Sequence, residues 1–166
     1  MPSASSIDQV SNHLSYRLFL DLDGVLADFD KGIYRITGQH PHQLKIGHLW
    51  KAAAKADGFF THLPWMPEGR VLWEATQTLN PTILTGLPLG NWAEPQKRAW
   101  CARELGSHVP VLTCMARDKI KHARQILKKN ETPVLVDDRP KHRALWEEQG
   151  GLFITCLLYT SPSPRD

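Results

Sequence analysis

The feature that most constrains the fold of this chain is a set of five short runs dominated by Leu, Val, Ile and Phe. These runs lack the alternation of a half-buried strand, and they are typical of strands buried on both faces of a parallel sheet. The five predicted strands are Leu18–Leu22, Thr82–Leu84, Val109–Leu112, Val134–Val136 and Leu152–Ile154.

Helical patterns occupy the segments between these runs. The segment 69–79 has apolar residues at helical spacing, and the segment 94–105 has a proline near its first turn and ends before a glycine. Asp118 is a candidate N-cap for a third helix over 118–129, and a fourth pattern covers 140–149. Strands that alternate with helices predict right-handed β-α-β units, and therefore a doubly wound α/β fold around a parallel sheet.

One connection is much longer than the others. About sixty residues separate the first and second predicted strands, far more than a single crossover needs. Residues 30–64 include helix candidates at Lys31–Thr37 and His48–Asp57, so we predict a small helical cap inserted after the first strand. Ligands in open α/β sheets bind beyond the carboxyl ends of the strands, where such a cap would cover the active site.

Composition limits the class of partner. The 166 residues correspond to about one domain, and the net charge of +3 is too small to indicate nucleic acid. The chain has no run of 18 apolar residues, so no membrane span is predicted. Three cysteines without metal-ligand spacing, Cys101, Cys114 and Cys156, indicate a reducing compartment and a cytoplasmic protein. We expect a small-molecule substrate, and a homodimer stays open.

Both ends of the chain differ from the rest. Residues 1–15 have neither the basic start nor the apolar stretch of a secretory signal, and we interpret them as a flexible lead-in. Residues 156–166, CLLYTSPSPRD, match without a mismatch the translation of a common transposase sequencing adapter. We therefore interpret them as a non-native tail, assign Cys156 no functional role, and predict the folded domain over residues 16–155.

Acidic residues follow two of the predicted strands. Asp21 and Asp23 are two positions apart, so an extended backbone directs both side chains to the same side, and Gly24 then lets the chain turn. Asp137 and Asp138 follow the fourth predicted strand. If these two strands are neighbours the carboxylates converge, and such a cluster is costly unless a cation neutralises it. Ligand sets made only of oxygen suit Mg²⁺, which retains water and bridges a phosphate.

Two further strand ends carry groups that suit a phosphate. Thr85 and Gly86 follow the second predicted strand with a hydroxyl and adjacent backbone N–H groups. Lys119 lies at a helix start after the third strand and can add a point charge, with Lys97 and Lys121 as alternatives.

The four segments DLDGVLAD, ILTG, RDK and LVDD stand in this order at the ends of the predicted strands. Together they resemble the haloacid dehalogenase (HAD) superfamily of phosphohydrolases, and the resemblance covers Leu18 to about Ile154. The sequence is more closely similar to the 5'(3')-deoxyribonucleotidases of that superfamily, through DLDGVLADF, GFFTHLPWMPEG at residues 58–69, and VDDR. It departs from them in a shorter insert and in Thr85-Gly86, where that family usually has Thr-Ser.

The resemblance implies a covalent phosphatase mechanism. Asp21 would be the nucleophile that forms an aspartyl-phosphate, and Asp23 the general acid and base. Asp138, together with Asp21 and the backbone of Asp23, would hold Mg²⁺, while Asp137 would either join the metal ligands or orient its neighbours. An acid at position 23 favours a phosphomonoesterase over other reactions of the superfamily.

The resemblance also implies the contacts to the substrate. Thr85, Gly86 and Lys119 would bind the phosphate, and Phe29 and Trp50 match apolar positions that pack against a nucleoside. The expected activity is a Mg²⁺-dependent nucleotidase that releases phosphate from nucleoside monophosphates. Two alternatives stay open, a phosphatase for sugar phosphates or other small metabolites, and a non-catalytic domain that binds a phosphorylated ligand.

Overall fold

A five-stranded sheet forms the centre of the computed structural model, which describes residues 14–156. The strands are β1 (Ser15–Leu20), β2 (Thr82–Gly86), β3 (Val111–Cys114), β4 (Glu131–Asp137) and β5 (Leu152–Thr155). They pair in the order β3-β2-β1-β4-β5, and every pairing is parallel. This arrangement confirms the predicted doubly wound α/β fold, with β1 and β4 as neighbours and β5 at one edge.

The predictions for the two ends fall almost entirely outside the described residues. Of the lead-in predicted at 1–15, only Leu14 and Ser15 are described, and Ser15 already begins β1. Of the tail predicted at 156–166, only Cys156 is described, and its backbone N–H donates a 2.9 Å hydrogen bond to the carbonyl of Asp137.

Six α-helices and four short 3-10 turns lie among the described residues. The helices are α1 (Phe29–Thr37), α2 (Ile46–Lys55), α3 (Pro67–Thr76), α4 (Ala93–Glu104), α5 (Lys119–Ile126) and α6 (Arg143–Glu148). The 3-10 turns are Pro41–Gln43, Gln77–Leu79, Ala116–Asp118 and Pro140–His142. Between residues 14 and 156, none of the helices has the length and apolar character that crossing a bilayer requires.

Asp118 is the N-cap residue of α5, as predicted, although its side chain makes no hydrogen bond to the first turn. It is also the last residue of the 3-10 turn Ala116–Asp118. The helix also ends at Ile126 rather than at residue 129, since the backbone of Leu127 is extended.

The sheet is covered on both faces, as fully apolar strands require. Successive strand residues point to opposite faces, so each strand contributes to two separate apolar clusters. One cluster, with residues of α5 and α6, includes Phe19, Leu84 and Leu135. The other, with residues of α1 to α4, includes Leu20, Ile83 and Val136.

The two ends of the long segment inserted after β1 lie next to each other. The N–H of Asp28 donates a 2.8 Å hydrogen bond to the carbonyl of Pro64, and Ala27 forms an antiparallel bridge with Trp65. Between these points α1 and α2 pack against each other. The segment enclosed by this closure, residues 29–63, is close to the predicted insert at 30–64.

Gly69, in the first turn of α3, lies against the backbone of the loop after β1. A Cβ atom at this position would be 2.5 Å from the carbonyl oxygen of Val25 and 2.9 Å from the Cα of Leu26. We expect Gly69→Ala to lower the free energy of unfolding by about 1–3 kcal/mol, because backbone cannot move aside as a flexible side chain can. Urea denaturation measures the change.

Gly47→Ala is the matched control for Gly69→Ala. Gly47 is an exposed residue of α2, and a Cβ there would meet nothing within 4 Å. This variant should be neutral or slightly stabilised, because alanine favours a helix. Equal stabilities for the two variants would contradict the close packing at Gly69.

Two buried thiols, Cys101 and Cys114, should be unreactive in the folded protein. Burial raises the pKa of Cys101 to about 12 and the pKa of Cys114 to about 11. The reactive thiolate is therefore scarce near pH 8. We expect iodoacetamide to modify half-buried Cys156 first and the two buried thiols only on unfolding, as measured by mass spectrometry with and without urea. Equal rates in the folded protein would contradict this assignment.

Candidate active site

The loop after β1 is a tight turn rather than a continuation of the strand. The strand ends at Leu20, the carbonyl of Leu22 accepts a 2.9 Å hydrogen bond from the N–H of Leu26, and Gly24 has a φ of +80°. Glycine adopts this left-handed conformation at little cost. Asp21 and Asp23 lie just before Gly24, and both border the same cavity.

That cavity is small, about 60 Å³, and lies at the carboxyl edge of the sheet. Residues from the ends of four of the five strands line it: Asp21 and Asp23 after β1, Gly86 in β2, Lys119 after β3, and Arg139 after β4. Lys97 of α4 and Trp50 of α2 complete the wall. Five predicted site residues, Asp21, Asp23, Gly86, Lys119 and Trp50, therefore border one space.

A cluster of three carboxylates lies beside this cavity. Asp21, Asp137 and Asp138 each offer one oxygen, and these oxygens lie within 4.8 Å of one another. Lys119 Nζ lies 3.0 Å from Asp21 Oδ1 and 2.9 Å from Asp137 Oδ2. Lys119 neutralises one of the three negative charges. One divalent cation would neutralise the remaining two. The donors are all oxygen, so the set fits a hard cation such as Mg²⁺.

Lys119 remains cationic in this cluster. Burial by itself lowers the pKa of Lys119, but Asp21 and Asp137 outweigh burial and raise the pKa above its usual range. Both oxygens of the fully buried Asp137 are engaged, since its Oδ1 accepts a 2.9 Å hydrogen bond from the N–H of Arg139. Asp137 therefore holds Lys119 and the loop after β4 in position, while Asp138 is only half-buried.

Lys97 has a role that sequence reasoning did not find. The sequence suggested it only as an alternative phosphate ligand, but its side chain is 1% exposed and its Nζ donates three hydrogen bonds. The acceptors are Asp23 Oδ2 at 2.6 Å, Thr85 Oγ1 at 3.0 Å and the carbonyl of Gly86 at 2.7 Å. The available signal was helical spacing, because Lys97 shares the buried face of α4 with Trp100.

Lys97 pairs with one oxygen of Asp23 and leaves the other without a hydrogen bond among the described residues. Asp23 Oδ1 is buried and has no hydrogen-bond partner within residues 14–156. Buried polar atoms are usually paired, so an unpaired oxygen in a cavity wall indicates a group that a substrate or water completes. This geometry suits a carboxyl group that delivers and removes a proton.

Thr85 and Lys121 lie away from the cavity. Thr85 is fully buried within β2 and its hydroxyl accepts a hydrogen bond from Lys97, while the following residue, Gly86, lines the cavity. Lys121 is exposed on α5 and does not line it. Among the three lysines considered for the phosphate, Lys119 and Lys97 border the site.

Phe29, predicted to contact the substrate, lies in the core instead. It is fully buried at the start of α1, with its ring centroid 5.5 Å from that of Phe59 and 6.1 Å from that of Phe60. Its ring also packs directly on Trp50 at 5.6 Å, so no slot for a base separates the two. Trp50 borders the cavity, and Phe29 supports it from behind.

A second, larger cavity of about 680 Å³ adjoins the first. The two cavities share five lining residues: Trp50, Leu87, Pro88, Ala116 and Arg139. The larger cavity has the volume of a typical small-molecule site, and Trp92 adds a second indole to its wall.

Comparison with known proteins supports the fold. No protein-family model and no curated protein matches the sequence. Among solved structures, the chain is similar to the crystal structure of a hydrolase from Streptococcus pneumoniae TIGR4, with a TM-score of 0.51 and 12% sequence identity. The match covers 89% of this chain and 94% of that chain. This similarity concerns the fold, a five-stranded parallel sheet with flanking helices of the Rossmann-like type.

Proposed function

We propose that this protein is a Mg²⁺-dependent phosphomonoesterase that forms an aspartyl-phosphate on Asp21. The observation that carries this proposal is the pair of carboxylates, Asp21 and Asp23, on one small cavity between two buried lysines, Lys119 and Lys97. A protein that only binds a phosphorylated ligand has no need of both acids. The hydrolase from S. pneumoniae shares the fold, which supports hydrolysis as the class of reaction.

The residues divide the reaction between them. A carboxylate oxygen of Asp21 attacks phosphorus, and the bond from phosphorus to the leaving alcohol breaks. Asp23 donates a proton to the leaving oxygen and then takes one from the water that hydrolyses the aspartyl-phosphate. Lys119 stabilises charge on the transferring group. Asp21 and Asp138 would hold Mg²⁺, which neutralises phosphate charge when bound, and Asp137 holds Lys119 beside them.

The substrate we favour is a nucleoside monophosphate. Trp50 and Trp92 line the larger cavity beside the phosphate site, and indole rings accommodate a flat base. The sequence resemblance to deoxyribonucleotidases points the same way. Sugar phosphates are the second candidate, favoured by the direct packing of Phe29 on Trp50, which leaves no slot between these rings.

The location that we propose is the cytoplasm. The buried thiols of Cys101 and Cys114 fit its reducing conditions.

Phosphate release from a substrate panel tests the proposal. The panel contains p-nitrophenyl phosphate, deoxy- and ribonucleoside monophosphates, and sugar phosphates, each assayed with Mg²⁺ and with EDTA. We expect release with Mg²⁺, loss with EDTA, and recovery when Mg²⁺ is restored in excess. No release from any substrate by protein with a cooperative thermal transition, or release insensitive to EDTA, would overturn the proposal.

A further inference from the structure

The larger cavity beside the phosphate site has a strongly cationic lining. Four basic side chains line it: Lys51 of α2, Arg117 after β3, and Arg139 and Lys141 after β4. Within residues 14–156, no carboxylate lines it. The leaving group of the substrate would therefore enter a positively charged space. Such a space favours a leaving group that is itself an anion.

Two of these four basic side chains form no ion pair within the described part of the protein. The lysines of the smaller cavity are paired, Lys97 with Asp23 and Lys119 with Asp21 and Asp137. In contrast, Lys51 and Arg117 are exposed and form no ion pair with any described carboxylate. The two lysines at the phosphate to be cleaved are therefore paired with carboxylates, whereas Lys51 and Arg117 line the larger cavity and not the smaller one.

The same cavity has apolar walls. Trp50 and Trp92 line it with Leu87 and Met115, and the volume of about 680 Å³ lies within the usual range for a ligand the size of a nucleoside. A small, uniformly polar alcohol would make no use of the indole surfaces in this wall. The lining thus combines surfaces for a flat ring with positive charge.

We infer that the preferred substrate is a nucleotide whose leaving group carries a second anionic group, as in a nucleoside bisphosphate. One phosphate occupies the cavity at Asp21, the base lies against Trp50 or Trp92, and the second phosphate binds Lys51 and Arg117. This inference rests on the proposed function, because it takes the smaller cavity as the site of the phosphate that is cleaved.

Matched substrates test the inference. Deoxyadenosine 5'-monophosphate and deoxyadenosine 3',5'-bisphosphate differ only in the second phosphate, and p-nitrophenyl phosphate carries no second anion. With Mg²⁺ present, we expect kcat/KM for the bisphosphate to exceed that for the monophosphate by about tenfold, mainly through a lower KM. The preference should weaken as salt is raised, because both cations are exposed.

Variants connect the preference to the two cations. The double variant Lys51→Met/Arg117→Met should bring the ratio of the two kcat/KM values close to one. Lys55→Met is the matched control, because Lys55 is an exposed lysine of α2 that does not line the cavity. That control should keep both the ratio and the basal activity of the wild type.

The outcomes separate this inference from the proposed function. Hydrolysis of p-nitrophenyl phosphate and of the monophosphate, with no advantage for the bisphosphate or an advantage that the double variant retains, would overturn the inference alone. Failure to hydrolyse any of the three would overturn the proposed function. In that case calorimetry with Asp21→Asn and Mg²⁺ decides the inference, since about tenfold tighter binding of the bisphosphate supports it and equal affinity overturns it.

Discussion

Asp21→Asn is expected to lower Mg²⁺-dependent phosphate release by at least about 10⁴-fold, because an amide cannot form the acyl-phosphate intermediate. The substitution keeps the size of the side chain. In the wild type the N–H of Leu22 donates a 2.8 Å hydrogen bond to Asp21 Oδ1, and the amide oxygen of asparagine can accept the same bond. Lys119 keeps its ion pair with Asp137. The loss should therefore fall on kcat, with the fold preserved. Steady-state kinetics and a thermal melt measure the two effects.

Asp57→Asn is the matched control for the nucleophile. Asp57 follows α2 on an exposed turn and does not line either cavity of the candidate site. We expect this variant to keep wild-type activity. An Asp21→Asn protein that retains more than about one hundredth of wild-type kcat would contradict the assignment of the nucleophile. Mass spectrometry of trapped protein, with a phosphate adduct mapped to Asp21, provides an independent check.

Lys97→Met is expected to lower the free energy of unfolding by about 3–5 kcal/mol, because it leaves the buried carboxylate of Asp23 without its cation. Lys97 is 1% exposed, and methionine is close to it in size, so the loss reflects charge and hydrogen bonding rather than an empty space. Activity should fall as well, because Asp23 Oδ2 loses the 2.6 Å contact that orients the carboxyl group. Urea denaturation and phosphate release measure these changes.

A double variant separates the charge effect from general damage to the core. Lys97→Met/Asp23→Asn removes both charges, so it should recover much of the lost stability while remaining inactive. Lys121→Met is the control lysine, because it is exposed on α5, and its stability should stay within about 0.5 kcal/mol of wild type. If the double variant is no more stable than Lys97→Met, the ion pair is not the source of the loss.

The sequence predicted those parts of the site that depend on strand ends. Asp21, Asp137 and Lys119 each follow or end a strand, and parallel strands bring their carboxyl ends to one edge of the sheet. Recognising apolar strands was therefore enough to expect that these side chains meet, although they are far apart along the chain. The prediction of an insert after β1 held for the same reason, since a sixty-residue connection cannot be a single crossover.

Local reasoning failed where a side chain's direction depends on packing. Asp118 stands at the N-cap position of α5, but its side chain makes no capping hydrogen bond. Phe29 was expected at the substrate, yet its ring fills the core between Trp50 and Phe59, because a fully apolar ring gains most by leaving water. The sequence contains no signal for which of two neighbouring apolar spaces a ring will enter.

By itself, the sequence determined the order of strands and helices, the doubly wound class of the fold, and the edge of the sheet where the carboxylates gather. These three features follow from the spacing of apolar residues and from the order of the segments along the chain, and both can be read directly from the sequence. Only the tertiary structure decided that Lys97 pairs with Asp23, 74 positions away. It also decided that Lys51 and Arg117 line a second cavity and form no ion pair with a carboxylate of residues 14–156. Such contacts depend on how α4 and the inserted helices pack on the sheet, and packing is set by the shapes of distant surfaces rather than by neighbours in the chain.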